Sequence, residues 1–541
     1  MPKLKTHTYL ILAFLVLTAV LSVRLLGRET KDKTNKPAPS PSLLKGSKEL
    51  PKDNPLPKQS ADLALAEEID HALDAADARQ PRWGVFVISL KDGRVVYSRD
   101  GDKSFTPASN MKVYTTAVAL DLLGPDYRWR TSVYALKQPD ANGVINGDLT
   151  LYGRGAPDLA SKPKGDAPSL AKLVDQLYQS GVREVRGDVV GDASYFRSEL
   201  FGLGWQWNDL QWYFGAEPSA LSIDENSVEV TMSPATKKGE SANVIVTPNQ
   251  NFVRVLNDAT TGEHDSITTI GIMRGLSNNE VHVWGDFPVG GRAFSAFLSV
   301  HDPSLWAATI FRQALIARGI KVSGQTRGRD FRTANQDKFD PQKAVELAYQ
   351  NSESLAEIVR RTNKESNNLF AELILRTIGK ERGTVAPDPD PRKNATRGDD
   401  EAGTTVVRTW LEGKGIATRS VAIRDGSGLS RLDLVTPETT ARLLSAMTTS
   451  NAATEFHDSL PNAGHDGTLG GRLKNMTGRI FAKTGTLTYT HSLSGYATTQ
   501  RDEVLVFSIM CNDAISDRGA VAIIDRIATS IADFGRTQSS K

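Results

Sequence analysis

Three short clusters of polar residues hold the chemistry that this chain offers. Ser109-Asn110-Met111-Lys112 places a hydroxyl and an amine three residues apart. Positions i and i+3 share one face of a helix, so Lys112 can stand beside Ser109 at a helix start. A serine hydroxyl is a weak nucleophile near neutral pH and needs a base within hydrogen-bond reach. Free lysine, with a pKa of about 10.4, serves as that base only when burial or a second cation lowers the value. Lys483-Thr484-Gly485, the chain's only Lys-Thr-Gly, offers the second cation, and Ser366-Asn367-Asn368 offers a second hydroxyl with an amide two residues on. The chemistry on offer is nucleophilic attack by the Ser109 hydroxyl.

None of the three is informative alone. Ser42-Leu43-Leu44-Lys45 repeats the first pattern in a Pro/Lys-rich segment, and Ser277-Asn278-Asn279 repeats the second in a polar loop. An isolated serine before a helix is ordinarily an N-cap, and Lys-Thr-Gly is ordinarily a turn. Context separates the true matches. A helix is predicted after Ser109, with Val113, Thr116, Ala117 and Leu120 on one stripe and Gly124-Pro125 as its stop. Ser366 lies between two helical runs, SLAEIVRRT and NLFAELILRTIG, and Lys483 lies within the strand-like IFAKTGTL.

The remaining pattern says how these pieces are carried. Residues 63–79 read as a helix that leads into GVFVISL and RVVYS, a hairpin turning at Lys91-Asp92-Gly93. From Thr131 to Gln342 the texture is of short β-rich runs, interrupted by the helical SLWAATIFRQALIARG. Helical patterns return after 343, Pro387–Gly403 reads as a polar surface loop, and strands precede a closing helix with Val521, Ile524, Ala528 and Ile531 on one stripe. The expected fold class is α/β. The catalytic domain spans 61–130 plus 343–541, and 131–342 is a large, mostly β insertion forming one or two accessory domains.

The 541 residues carry 65 Lys+Arg against 63 Asp+Glu, a balance without the basic excess of a nucleic-acid binder. A single cysteine, Cys511, excludes an internal disulfide and Cys-rich metal sites, and the eight histidines form no H-E-x-x-H. No metal or cofactor is expected. Lys3 and Lys5 precede an apolar run over residues 9–26, the pattern of an export signal. Its exit lacks an A-x-A cleavage site, which favours an uncleaved signal anchor (residues 1–26) over a cleaved signal. The Pro/Lys-rich residues 27–60 then read as a flexible tether. The expectation is an exported protein, in the periplasm or on the outer face of the cytoplasmic membrane.

Further segments carry a family resemblance: Gly147-Asp148-Leu149, Gly191-Asp192-Ala193-Ser194, WQWNDLQWYFGAEPSAL (205–221), DGSGLSR (425–431), LPNAGHDGTL (460–469) and KTGTLTYTHSLSGY (483–496). With the three clusters, the stretch 63–535 resembles the D-alanyl-D-alanine carboxypeptidase/endopeptidase family of class C low-molecular-mass penicillin-binding proteins, peptidase family S13. The resemblance implies a β-lactamase-like (serine transpeptidase-like) catalytic domain. The long interval from Ser109 to Ser366 suits that family and not a class A β-lactamase. It also implies that Ser109 is acylated, Lys112 is its base, Ser366 relays a proton, Asn368 orients Lys112 and the substrate amide, and Lys483 supplies charge. Thr484 and Thr486, on either side of Gly485, would bind the substrate's terminal carboxylate, and Arg431 and Asp192 would touch the stem peptide. The implied partners are peptidoglycan stem peptides and, as covalent inhibitors, β-lactams. Two alternatives remain open: a β-lactamase or esterase on the same scaffold, and a non-catalytic β-lactam- or wall-binding sensor. Cys511 reads as a buried small hydrophobe, Trp205, Trp207 and Trp212 as core or inter-domain residues, and His465 and His491 receive no role.

Overall fold

The computed structural model describes residues 60–75, 80–162, 167–248, 251–334, 336–385 and 398–535. The apolar run 9–26 and its tether lie outside these, as does most of the expected surface loop. Among the described residues no helix is long and apolar enough to cross a membrane.

Helix α1 (Ser60–Leu73) leads into strands β1 (Arg82–Ser89) and β2 (Val95–Arg99), then helix α2 (Met111–Leu123). The chain next builds the accessory region, which contains helices α3 (Leu170–Gln179) and α4 (Pro303–Ala317). It returns through α5 (Leu355–Lys364), α6 (Asn368–Arg382), α7 (Asp399–Gly413), α8 (Pro437–Met447) and α9 (Ala453–Ser459). Strands β3 (Ile480–Leu487), β4 (Thr490–Thr498) and β5 (Val504–Asn512) and helix α10 (Asp517–Asp533) close the fold. The five strands form an antiparallel sheet in the order β3-β4-β5-β1-β2, so segments from the two ends of the chain meet where β5 pairs with β1.

Strand alternation assigns this sheet two apolar faces. Val85 and Val87 of β1, with Phe507 and Ile509 of β5, pack against Leu65, Ile69, Ile524 and Ile531 of α1 and α10. Phe86, Ile88, Val506 and Met510 point the other way, toward α2 and the helices behind it. This α/β/α layering is the expected β-lactamase-like arrangement. Two helix readings change in detail. α2 is buried on every side from Met111 to Leu120, not along one stripe, because α5, α6, α7, α8 and α9 all pack around it. In α10 the buried stripe runs through Ala520, Ile524, Ile527, Ala528 and Ile531, and Val521 lies off it.

The accessory region contains a five-stranded sheet in the order 326–329, 189–192, 149–152, 130–135, 345–351, together with three three-stranded sheets. Val345–Asn351 pairs antiparallel with Arg130–Ala135, so entry and exit of the insertion zip together. The accessory sheet therefore takes in Arg130 at its first strand and Asn351 at its last. One continuous hydrophobic core joins these strands to α3, α4 and to Leu369 and Leu373 of α6. The polar stretch expected to be loop as far as Gly403 is helical from Asp399. Asp399, Asp400 and Glu401 occupy its first turn, where carboxylates meet the positive end of the helix dipole.

Candidate active site

Ser109 sits in a single 3₁₀ turn, Ala108–Asn110, that runs directly into α2. Between Pro107 and Leu120 it is the one residue that is not buried. Ala108 before it has φ +50°, a left-handed conformation that is strained for a residue with a Cβ. Asn110 holds the turn against the sheet: its Nδ2 donates to the Lys483 carbonyl at 3.1 Å and to Ser492 Oγ at 2.7 Å. Ser492 in turn donates to the Pro107 carbonyl at 2.7 Å. The glycine of Lys-Thr-Gly is explained by this approach. A Cβ on Gly485 would lie 2.6 Å from the Pro107 oxygen and 3.0 Å from the Ser109 nitrogen.

Lys112 is wholly buried, and its Nζ lies 2.9 Å from Ser109 Oγ, 2.6 Å from Asn368 Oδ1 and 2.8 Å from the Ser427 carbonyl oxygen. Burial pushes its pKa down to about 7, against the opposing pull of Asp425 and Glu372. Lys483, equally buried on β3, donates to Ser366 Oγ at 2.9 Å and to the Thr484 carbonyl at 3.0 Å. Its pKa falls well below the ordinary value through burial first and the Lys112 charge second. Desolvation thus does most of what a second cation was expected to do.

Ser366 has φ +60° in the turn between α5 and α6. The capping role falls to Asn367, whose Oδ1 accepts from the Phe370 N–H at 3.1 Å, so the Ser366 hydroxyl is not spent on the helix end. Asn368 opens α6 with its amide set from both ends, for its Nδ2 donates to the Phe214 carbonyl at 2.9 Å. The three clusters therefore converge on one place.

The other assignments divide. Thr484 donates to Thr468 Oγ1 at 2.7 Å, Gly485 is buried, and Thr486 is exposed at the end of β3. Arg431 Nη1 donates to the Thr488 carbonyl at 2.8 Å, which brings the 425–431 loop to the same end of β3. The carboxylate that acts on Arg431 is Asp209. Asp192 is a correction. It is fully buried on an accessory strand, where Oδ2 accepts from Arg329 at 2.7 Å and Oδ1 accepts from the Ser194 N–H at 2.8 Å. Both oxygens are spent inside the fold, so Asp192 is a structural ion-pair residue and not a substrate contact.

Sequence reasoning missed Ser427, Thr468, Phe214 and the buried carboxylates Glu372 and Asp425. Glu372 did carry a signal: it stands four residues before Arg376 in an otherwise apolar helix. Cys511 is buried, with its thiol pushed up to about 12 by desolvation, as suits a small core residue. Trp205 donates from Nε1 to Asp425 at 2.8 Å, joining the accessory segment to the catalytic loop.

Comparison with known proteins identifies the family. The family model described as D-Ala-D-Ala carboxypeptidase 3 (S13) matches residues 65–533. A D-alanyl-D-alanine carboxypeptidase from Actinomadura sp. (strain R39) is 34% identical over 488 residues, covering 88% of this chain and 86% of that protein. The D-alanyl-D-alanine carboxypeptidase DacB of Haemophilus influenzae is 27% identical over 435 residues, 78% of this chain and 84% of its own. The crystal structure of penicillin binding protein 4 (dacB) from Haemophilus influenzae superposes with a TM-score of 0.72 at 24% identity, over 87% of this chain and 98% of that one, and shares its fold. With a family match over most of its length and a serine, two lysines and an asparagine converging as acyl transfer requires, the chain belongs to the D-Ala-D-Ala carboxypeptidase 3 (S13) family, whose members are serine D-alanyl-D-alanine carboxypeptidases.

Proposed function

We propose that Ser109 attacks the carbonyl of the D-Ala–D-Ala bond in a peptidoglycan stem peptide while Lys112 Nζ takes its proton. The observation that carries this reading is the 2.9 Å contact between a wholly buried lysine and the one position of its turn that is not buried. At a pKa of about 7 a substantial fraction of Lys112 is neutral at neutral pH and able to act as base. Ser366, bonded to Lys483, relays the proton to the leaving D-alanine amine. The backbone N–H groups of Ser109 and Thr486 hold the oxyanion, and Lys483, Thr484 and Thr486 meet the terminal carboxylate. Arg431, at the same end of β3, meets the stem. Water then releases the acyl group, and a cross-link with the same D-alanyl carbonyl is opened by the same steps.

β-Lactams would acylate Ser109 and leave slowly. Glu372 and Asp425, the carboxylates that act on Lys112, are buried and bonded to backbone N–H groups, Arg376 and Trp205, so neither is placed to activate water. This favours a peptidase over a β-lactamase on the same scaffold. The catalytic unit in this reading comprises 60–129 and 352–535, with an accessory unit at 130–351. Export and anchoring rest on residues 9–26, and sequencing the mature N-terminus tests them: a start near residue 25 means a cleaved signal.

Intact-mass analysis after labelled penicillin tests the nucleophile. A stable adduct on Ser109, lost in Ser109→Ala, is expected, together with D-alanine release from a pentapeptide. An adduct on another serine, or rapid turnover of the label, overturns the assignment.

A further inference from the structure

Beside Lys112 lies a set of buried carboxyls that no step above uses. Glu372, one turn into α6, accepts at Oε1 from the N–H groups of Gly426 and Ser427, both at 2.9 Å. Its Oε2 accepts from Arg376 Nη1 at 2.7 Å. Asp425 accepts from the Gly428 N–H at one oxygen and from the Ser430 N–H and Trp205 Nε1 at the other, at 2.7–2.8 Å. The 425–430 loop is thus pinned on two carboxylates, with the Ser427 carbonyl presented to Lys112. Gly428, at φ +80°, lets the loop lie this close, since a Cβ there would stand 1.8 Å from the Ala108 oxygen.

The arrangement matters because of how an amine bonds. An ammonium has three N–H groups, whereas a neutral amine has two and a lone pair. When Lys112 is neutral, its two N–H groups are taken by Asn368 Oδ1 and the Ser427 carbonyl, and the lone pair is left for the Ser109 hydroxyl. The Ser427 carbonyl is therefore half of what aims the base.

We propose that Glu372 is a positioning residue for Lys112: by gripping the backbone of Gly426 and Ser427 it aims the Ser427 carbonyl at Nζ and holds a carboxyl group, paired with Arg376, beside it. The proposal rests on Lys112 being the base for Ser109. The charged groups around Lys112 are Glu372, paired with Arg376, on α6, Asp425 and Asp433 on the loop, and Lys483 on β3. Burial first, then Asp425, pushes the Asp433 carboxyl well above its ordinary range, and Glu372 and Asp425 are the carboxyls whose charge acts on Lys112. Negative charge favours protonated Lys112, so removing it moves the acidic limb of the rate profile to lower pH.

The test is the pH profile of Ser109 acylation by a labelled penicillin, measured on the full chain. Glu372→Gln keeps an acceptor for both N–H groups and removes the charge. Glu372→Gln with Arg376→Gln does the same without stranding a buried guanidinium, and carries the test if the single variant fails to fold. The expected result is an acidic limb displaced downward by roughly one pH unit. A limb unmoved or displaced upward in the folded variant overturns the proposal. Ser109→Ala runs alongside: label retained there overturns the reading of the nucleophile and its base, whereas label lost there with an unmoved limb in the glutamine variants overturns the positioning role alone.

Discussion

Lys112 in the active site and Arg329 in the accessory sheet are both buried cations, but their neighbours differ in kind. Arg329 lies between two carboxylates, Asp192 at 2.7 Å and Asp337 at 2.8 Å. Arg94, at the other end of the catalytic sheet, is likewise bonded to Asp62, Asp92 and Glu503. Burial works against its charge, and the hydrogen bonds it donates to Glu503 and Asp62 raise its pKa above the ordinary value regardless. Lys112 instead touches a hydroxyl, an amide oxygen and a backbone carbonyl. Direct ion pairs keep a buried charge in place, whereas neutral acceptors leave the proton free to depart. In the proposed reaction, the same burial makes one cation a fastener and the other a base.

That contrast is broken most severely by Lys112→Arg. A guanidinium cannot be deprotonated at working pH, so penicillin acylation of the folded variant should fall by roughly 10²–10⁴. Retained acylation would place the base elsewhere. In the parent, kcat/KM for D-alanine release should rise with pH through about 7, because the neutral form of Lys112 is the active one. A rate that falls over that range contradicts the assignment. Next comes Gly485→Ala, which forces β3 away from the Ser109 turn; an acylation loss of about 10² is expected, comparable to removing an oxyanion donor. The smallest catalytic effect belongs to Asp192→Asn. It leaves Arg329 half-paired and should cost about 3 kcal/mol in chemical denaturation, with the kcat/KM of the folded enzyme for a stem peptide unchanged. A specific rise in KM without loss of stability would return Asp192 to the substrate.

The legible parts were those that sequence encodes locally. The hairpin turning at Lys91-Asp92-Gly93 and the helix bounded by Gly124 show in period and turn chemistry, as do the places of Ser109, Ser366 and Lys483 on their elements. What sequence conceals is partnership across distance. Nothing near Asp192 announces Arg329, more than a hundred residues away and brought opposite only by parallel pairing of their strands. Glu372 meets Ser427 only once the 425–430 loop is folded against α6, and Trp205 meets Asp425 only once the accessory segment lies against that loop. Val345–Asn351 is only partly buried along its length, and pairing with Arg130–Ala135 decides its place in the sheet.

The carbonyl of Phe214 that steadies Asn368 comes from the inserted region, not from the fold that carries the nucleophile. The same stretch is held by Arg274, which donates to the Leu210 carbonyl at 2.9 Å from an outlying sheet. For anyone building chimeras, the unit of exchange is therefore larger than either half of the molecule. A graft whose border falls between Leu210 and Phe214 would unite two well-folded parents and still leave the asparagine amide without its anchor. Such a hybrid should melt normally and acylate poorly, a failure visible only in the catalytic assay.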